Sequence, residues 1–189
     1  MKLQVFDVVA SFYDFFAAVF RRHTPEKILS KVKPEEGDVL LDIGGGTGYN
    51  AARMKPFCGR LIVLDISFRM LQRARKHRYL ELVLGDARML PFKDKCFDVV
   101  MAVDSLHHVG DYPGVLREVR RTGKNKVFVA EFFGTTAAGK LLTALERFLL
   151  PVRYKRPDEF CRDASNQGIT GVYDYVSCFE YFFLGQIER

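Results

Sequence analysis

The sequence predicts an α/β fold: an open, doubly wound sheet of seven strands, mostly parallel, ending in a C-terminal antiparallel hairpin. Three observations carry it. Short apolar runs alternate with helical stretches about every 20 residues, the rhythm of right-handed crossovers between parallel strands. Four glycines cluster directly after the first such run, where a strand should give way to a helix. Near the C-terminus two more runs follow each other with almost no connection, too little for a crossover and enough for a hairpin.

In chain order, residues 3–21 place Val5, Val8, Val9, Phe12, Phe16, Val19 and Phe20 at helical spacing. That helix is apolar over more than one stripe, so it needs burial or a partner on a second side. Thr24-Pro25-Glu26 reads as an N-cap with proline at the first helical position, opening a short helix to Val32. Lys33-Pro34-Glu35-Glu36-Gly37 is a turn, and the period then changes. Val39, Leu40, Leu41, Asp42 and Ile43 have the composition of a buried parallel strand. Residues 49–55 follow as a helix, 60–65 as the second strand, 67–77 as a helix capped by Ser67, and 80–84 as the third strand. The fourth strand covers 97–103, a helix lies near 112–121, and the fifth strand covers 126–132. Beyond it, 138–150 is a helix stopped by Pro151, 157–164 is a shorter helix, and 172–177 and 179–187 form the hairpin.

Composition narrows the function classes. The 189 residues are 48% hydrophobic and 28% charged, a globular balance with chain enough for one domain. Lysine and arginine exceed aspartate and glutamate by 29 to 23, a net charge of +6, which permits an anionic partner without requiring one. Cys58, Cys96, Cys161 and Cys178 lie far apart, and His23, His77, His107 and His108 have no companions at metal-ligand spacing. Neither a disulfide framework nor a metal site is expected, and the thiols suit a cytoplasmic setting. No apolar stretch approaches the roughly 18–20 residues that span a bilayer, so no stable membrane insertion is expected. Asp7 and Asp14 interrupt the apolar N-terminus, and Arg21, Arg22 and His23 stand where a signal-peptide cleavage site would be. This region therefore reads as part of the mature protein.

The most informative segment is Asp42-Ile43-Gly44-Gly45-Gly46-Thr47-Gly48. Glycines there let the backbone turn and let a ligand approach with no Cβ in the way, at the sheet edge where α/β proteins bind nucleotide-like molecules. Asp65 closes the second strand and can accept both hydroxyls of a ribose, and Asp86 follows the third strand at the same edge. Gly46-Thr47-Gly48-Tyr49-Asn50-Ala51 also fits G-x-G-x-x-A, which keeps NAD as a rival. The loop carries an acid, however, and no lysine or arginine from 42 to 52, a sign that suits a ligand with a positive centre. No Gly-Lys-Ser/Thr follows the glycines, which excludes a P-loop.

The series VLLDIGGGTG, VLDIS, LGDARMLPF and FDVVMAVDSLHHV resembles the class I S-adenosylmethionine-dependent methyltransferases, and most nearly the broad group that includes the ubiquinone/menaquinone-biosynthesis enzymes. The resemblance implies a Rossmann-like methyltransferase fold, one domain over 1–189, and S-adenosylmethionine as cofactor. Its parts would be N-terminal helices and lid at 1–36, a cofactor-binding core at 37–132, a helical cap at 133–168 and the hairpin at 169–189. It implies that Asp42, Gly44, Gly46 and Gly48, with Gly45 in the same loop, hold the methionine part. Asp65 would take the ribose hydroxyls, with Ile66 beside the adenine. Asp86 would bond the adenine amino group, Ala87 would offer its N–H to the ring, Val103 would lie beside the cofactor, and Tyr13 would cover the pocket.

Methyl transfer needs alignment and exclusion of water, and a general base only where the acceptor must lose a proton. His107 and His108, in Asp104-Ser105-Leu106-His107-His108, are the candidates; the plainer reading is that one of them caps a helix or bonds backbone. The segment lacks the Asn/Asp-Pro-Pro-aromatic run expected of amino-directed DNA methyltransferases, and the longer quinone-type signature is missing too, so quinone specificity is not inherited. Aromatics in the N-terminal helix and in 132–168 could roof an apolar pocket, which favours a small-molecule methyl acceptor. RNA, including tRNA, is the alternative acceptor. A non-catalytic S-adenosylmethionine-binding protein is the answer of a different class. The residues do not determine the oligomeric state.

Overall fold

A computed structural model describes residues 25–132, 153–177 and 180–188. The expected helices at 3–21 and 138–150, Tyr13 and the Thr24 cap lie outside the described residues. The described chain runs α1 (Pro25–Val32), β1 (Val39–Ile43), α2 (Tyr49–Met54), β2 (Arg60–Asp65), α3 (Phe68–Ala74), β3 (Glu81–Leu84), β4 (Phe97–Val103), α4 (Tyr112–Thr122), β5 (Gly123–Phe132), α5 (Pro157–Asn166), β6 (Ile169–Ser177) and β7 (Glu180–Ile187).

The seven strands form one sheet in the order β3-β2-β1-β4-β5-β7-β6. β1 to β5 are parallel, while β7 runs antiparallel to both β5 and β6, as expected from the short connection. The order reverses between β1 and β4. Their outgoing connections leave toward opposite sides, which opens a crevice at the carboxyl ends of the strands.

Alternation along each strand divides the core between the two faces of the sheet. Leu41, Ile43, Ile62, Leu64, Val100 and Val129 face α4 and α5, where Leu116, Val119, Phe160 and Ala164 meet them. Leu40, Leu61, Val63, Met101, Phe128 and Ala130 point the other way, toward Ile28 and Val32 of α1 and Met54 and Leu71. Both faces are covered over the central strands, so β1, β2 and β4 read as nearly continuous apolar runs, while the edge strands β3 and β6 are more exposed.

Element ends moved where tertiary contacts or proline intervened. α2 stops at Met54 and tightens into a 3-10 turn at Lys55–Phe57, because Pro56 has no N–H to continue the helix. α3 ends at Ala74, and the residues expected to extend it form turns closed by His77 N–H to Ala74 O and Leu80 N–H to His77 O. Ser67 caps α3 as expected, its Oγ accepting Met70 N–H at 3.3 Å. β5 and β6 each begin three residues early, at Gly123 and Ile169, where pairing with Phe97 and Ile187 extends the ladder through sequence with no strand pattern. No helix among the described residues is long and apolar enough to cross a membrane.

Candidate functional site

At the crevice, β1 delivers Asp42, only 2% exposed, and the chain then turns through the glycines. Gly44 N–H donates to Leu64 O at 2.7 Å, which ties the loop to the end of β2. Gly44 has φ +67°, and a Cβ there would stand 2.5 Å from Ser105 Cβ, so the loop packs directly on the turn that follows β4. Gly46 is different. It too has positive φ, +56°, but a Cβ would approach nothing closer than Met70 Sδ at 3.9 Å and Asp65 Oδ2 at 4.0 Å, which leaves an open cradle beside Asp65. Gly45 lies against the Asp42 carboxylate, and Gly48 N–H returns to Gly45 O at 2.9 Å to start α2.

Two carboxylates meet here. Asp65, ending β2, accepts Gly46 N–H through Oδ2 at 2.9 Å and Ser67 N–H through Oδ1 at 2.8 Å. Burial raises its pKa, and these amides offset part of the effect. Asp42 has no such relief on one side: its Oδ2 is buried with no hydrogen-bond partner among the described residues. Burial, and then the charge of Asp65, push the Asp42 carboxyl from the ordinary 3.8 up to about 8. A buried acceptor without a donor is a group awaiting one. A ligand with an ammonium group or a positive sulfur satisfies it, whereas a pyrophosphate would meet two acids.

Ile66, 42% exposed, stands beside this pair, and Val103 ends β4 half-buried at the same edge. Asp86 already has a partner. Arg88 donates Nε–H to its Oδ1 at 3.0 Å and its own backbone N–H to the same oxygen at 2.9 Å, and this pairing lowers the Asp86 pKa. Ala87 packs half-buried against the core. The connection carrying these residues is fastened to α4 by Arg121, which donates to Leu90 O at 3.0 Å, Phe92 O at 2.8 Å and Asp94 Oδ1 at 2.8 Å. Glu118 orients that guanidinium and accepts Leu90 N–H at 2.7 Å.

The two histidines separate. His107 is 4% exposed, and its Nδ1–H donates to Glu131 Oε2 at 2.7 Å. A carboxylate only accepts, which fixes that tautomer. The other face of the His107 ring environment is Tyr154, stacked at 4.9 Å between centroids and 19° between planes. His108 is half-buried on the same 3-10 turn, its ring centroid 4.1 Å from that of His107. Glu131, near the end of β5 and 1% exposed, escaped the sequence reading, as did Ser105. The signal was present: Glu131 is the single charged side chain in the apolar run 127–132, and acids are rarely buried without partners.

Fold, crevice and acid pair are similar to those of the class I S-adenosylmethionine-dependent methyltransferases, and the comparisons with known proteins support that class. The profile of a family described as methyltransferase domain matches residues 41–130. Among curated relatives, a demethylmenaquinone methyltransferase of Corynebacterium kroppenstedtii is 31% identical over 139 residues, 68% of this chain and 58% of that protein. A malonyl-[acyl-carrier protein] O-methyltransferase of Serratia marcescens is 32% identical over 140 residues, 72% of this chain and 52% of that protein. The chain thus spans little more than half the length of these relatives. Among solved structures, a chain from the Haloferax volcanii complex between the Trm112 methyltransferase activator and a methyltransferase superposes with a TM-score of 0.85 at 20% identity, covering 100% of this chain and 98% of that one.

Proposed function

We infer that this protein transfers a methyl group from S-adenosylmethionine to a small-molecule acceptor. The observation that carries the reading is the Asp42 Oδ2 atom, buried and unpartnered beside Asp65 at the crevice. When bound, S-adenosylmethionine supplies an activated methyl group for in-line displacement. Asp42 and the loop of Gly44, Gly45, Gly46 and Gly48 would hold the methionine part, and Asp65 the ribose hydroxyls. Ile66 and Val103 would border the ring system, Ala87 N–H would reach it, and Asp86 would exchange its bond to Arg88 for one to the adenine amino group. Tyr13 would close the pocket. His107 serves as a strut, and His108 is assigned to take a proton where the acceptor is acidic. The demethylmenaquinone and malonyl-carrier relatives support a small acceptor, and their differing chemistry leaves the acceptor atom open. The free thiols Cys58, Cys96 and Cys161 support a cytoplasmic setting.

The test is transfer of labelled methyl from S-adenosylmethionine into fractionated cell extract. Label in the small-molecule fraction that is lost with Asp65→Ala supports the reading; label in RNA, in a salt-sensitive manner, would move the acceptor class. Tight cofactor binding with every fraction unlabelled would leave a binding protein. A second reading, that an activator protein of the Trm112 kind is required, draws on the neighbour's near-complete coverage. It predicts that label appears only after such a protein is added.

A further inference from the structure

We propose that Glu131 is a positioning residue for the cofactor loop, acting through the turn that follows β4. This rests on the functional reading above. β4 is followed by Asp104, a non-glycine residue at φ +49°, a conformation that costs energy and persists only where the surroundings enforce it. The enforcing groups come from the end of β5. Asp104 N–H donates to Ala130 O at 2.9 Å. Glu131 Oε1 then accepts both Ser105 N–H at 3.1 Å and Leu106 N–H at 2.7 Å, and Glu131 Oε2 accepts His107 Nδ1–H at 2.7 Å. One carboxylate thereby fixes three consecutive residues.

The first of them, Ser105, touches the cofactor loop directly. Ser105 Oγ–H donates to Ile43 O at 2.8 Å, the residue before Gly44, and Ser105 Cβ occupies the space that a Cβ on Gly44 would need. Glu131 therefore sets where Ser105 stands, and Ser105 sets where the chain between Asp42 and Gly46 can lie. His107 closes the same unit from the far side: its carbonyl accepts Arg153 N–H at 2.7 Å, and its ring stacks on Tyr154. A buried acid costs stability unless its oxygens are satisfied, and here both are satisfied by the turn it holds. Apolar replacement would fill the same space and secure nothing.

Glu131→Ala takes the carboxylate from three donors, two of them buried, and risks unfolding, so the informative variant is Glu131→Gln, which keeps the shape and one acceptor. Amide hydrogen exchange, the 15N resonances of His107 and calorimetry with S-adenosylhomocysteine are measured on the full chain. In the variant, Ser105 and Leu106 amides are expected to exchange about tenfold faster and the S-adenosylhomocysteine Kd to rise about tenfold, while amides of β1, β2 and β4 keep their protection. His107 Nδ1 shifts as it loses its carboxylate partner. Unchanged Kd with loosened amides overturns the proposal, as do unchanged amides, or faster exchange throughout the sheet, which would make Glu131 a residue of the fold alone. If the wild-type protein takes up no S-adenosylhomocysteine, the functional reading falls, and the amide and nitrogen signals by themselves decide whether Glu131 holds the turn.

Discussion

Asp42 shows at the scale of one residue how burying a carboxyl strains a fold. Its pKa stands raised, at about 8 against an ordinary 3.8, because burial beside Asp65 penalises the charge. A raised acid favours folding while it is protonated in both states, and that contribution is lost as pH rises from the unfolded value through the folded one. The ligand-free protein should therefore lose stability between about pH 4 and pH 8, within the range that this acid controls. Asp42→Asn removes the ionisation. Its melting temperature should exceed that of the wild type near pH 8 and depend less on pH, while affinity for S-adenosylhomocysteine falls about tenfold or more through loss of a charged acceptor. Scanning fluorimetry across pH, with and without the ligand, checks both. Asp65 differs because backbone amides already solvate it. Asp65→Ala should cost about tenfold to a hundredfold in affinity, from the loss of a charged acceptor for two hydroxyls.

At the scale of elements, short helices are held by their ends and by clamps rather than by length. α4 is capped by Asp111, which stands just before its first residue and accepts Gly114 N–H through Oδ1 at 3.0 Å. Asp111→Ala should cost about 1 kcal/mol in urea unfolding, the usual worth of such a cap. Arg121, in the last turn of the same helix, joins it to the connection between β3 and β4 through two carbonyls and the Asp94 carboxylate, while Glu118 of the helix itself holds the guanidinium in place. Its side chain is 32% exposed, so part of its charge is screened. Arg121→Met should lower stability by about 1–2 kcal/mol and speed amide exchange over residues 86–94 more than elsewhere, because that connection has no strand partners of its own. Methionine preserves the apolar stem, so the loss reports the hydrogen bonds.

At the scale of the whole molecule, the sheet order puts the ends of β1, β2 and β4 around one crevice, and a ligand there braces segments from distant parts of the chain. S-adenosylhomocysteine at a hundred times its Kd should stabilise the protein by about 2.7 kcal/mol through mass action, seen as a rise in melting temperature. NADH should give none. A rise with NADH and none with S-adenosylhomocysteine would return the crevice to a dinucleotide.

The sequence by itself determined the strand–helix alternation, the reversed terminal hairpin, the glycine loop and the acids at three strand ends. Each is a local pattern, because periodicity, φ preference and residue chemistry act over a few neighbouring positions. Tertiary structure alone decided that Asp42 lacks a partner where Asp86 has Arg88, and that His107 turns inward to Glu131. Those outcomes depend on contacts 24 residues apart, as between His107 and Glu131, or on burial, and neither pairing nor desolvation exists until the sheet has closed.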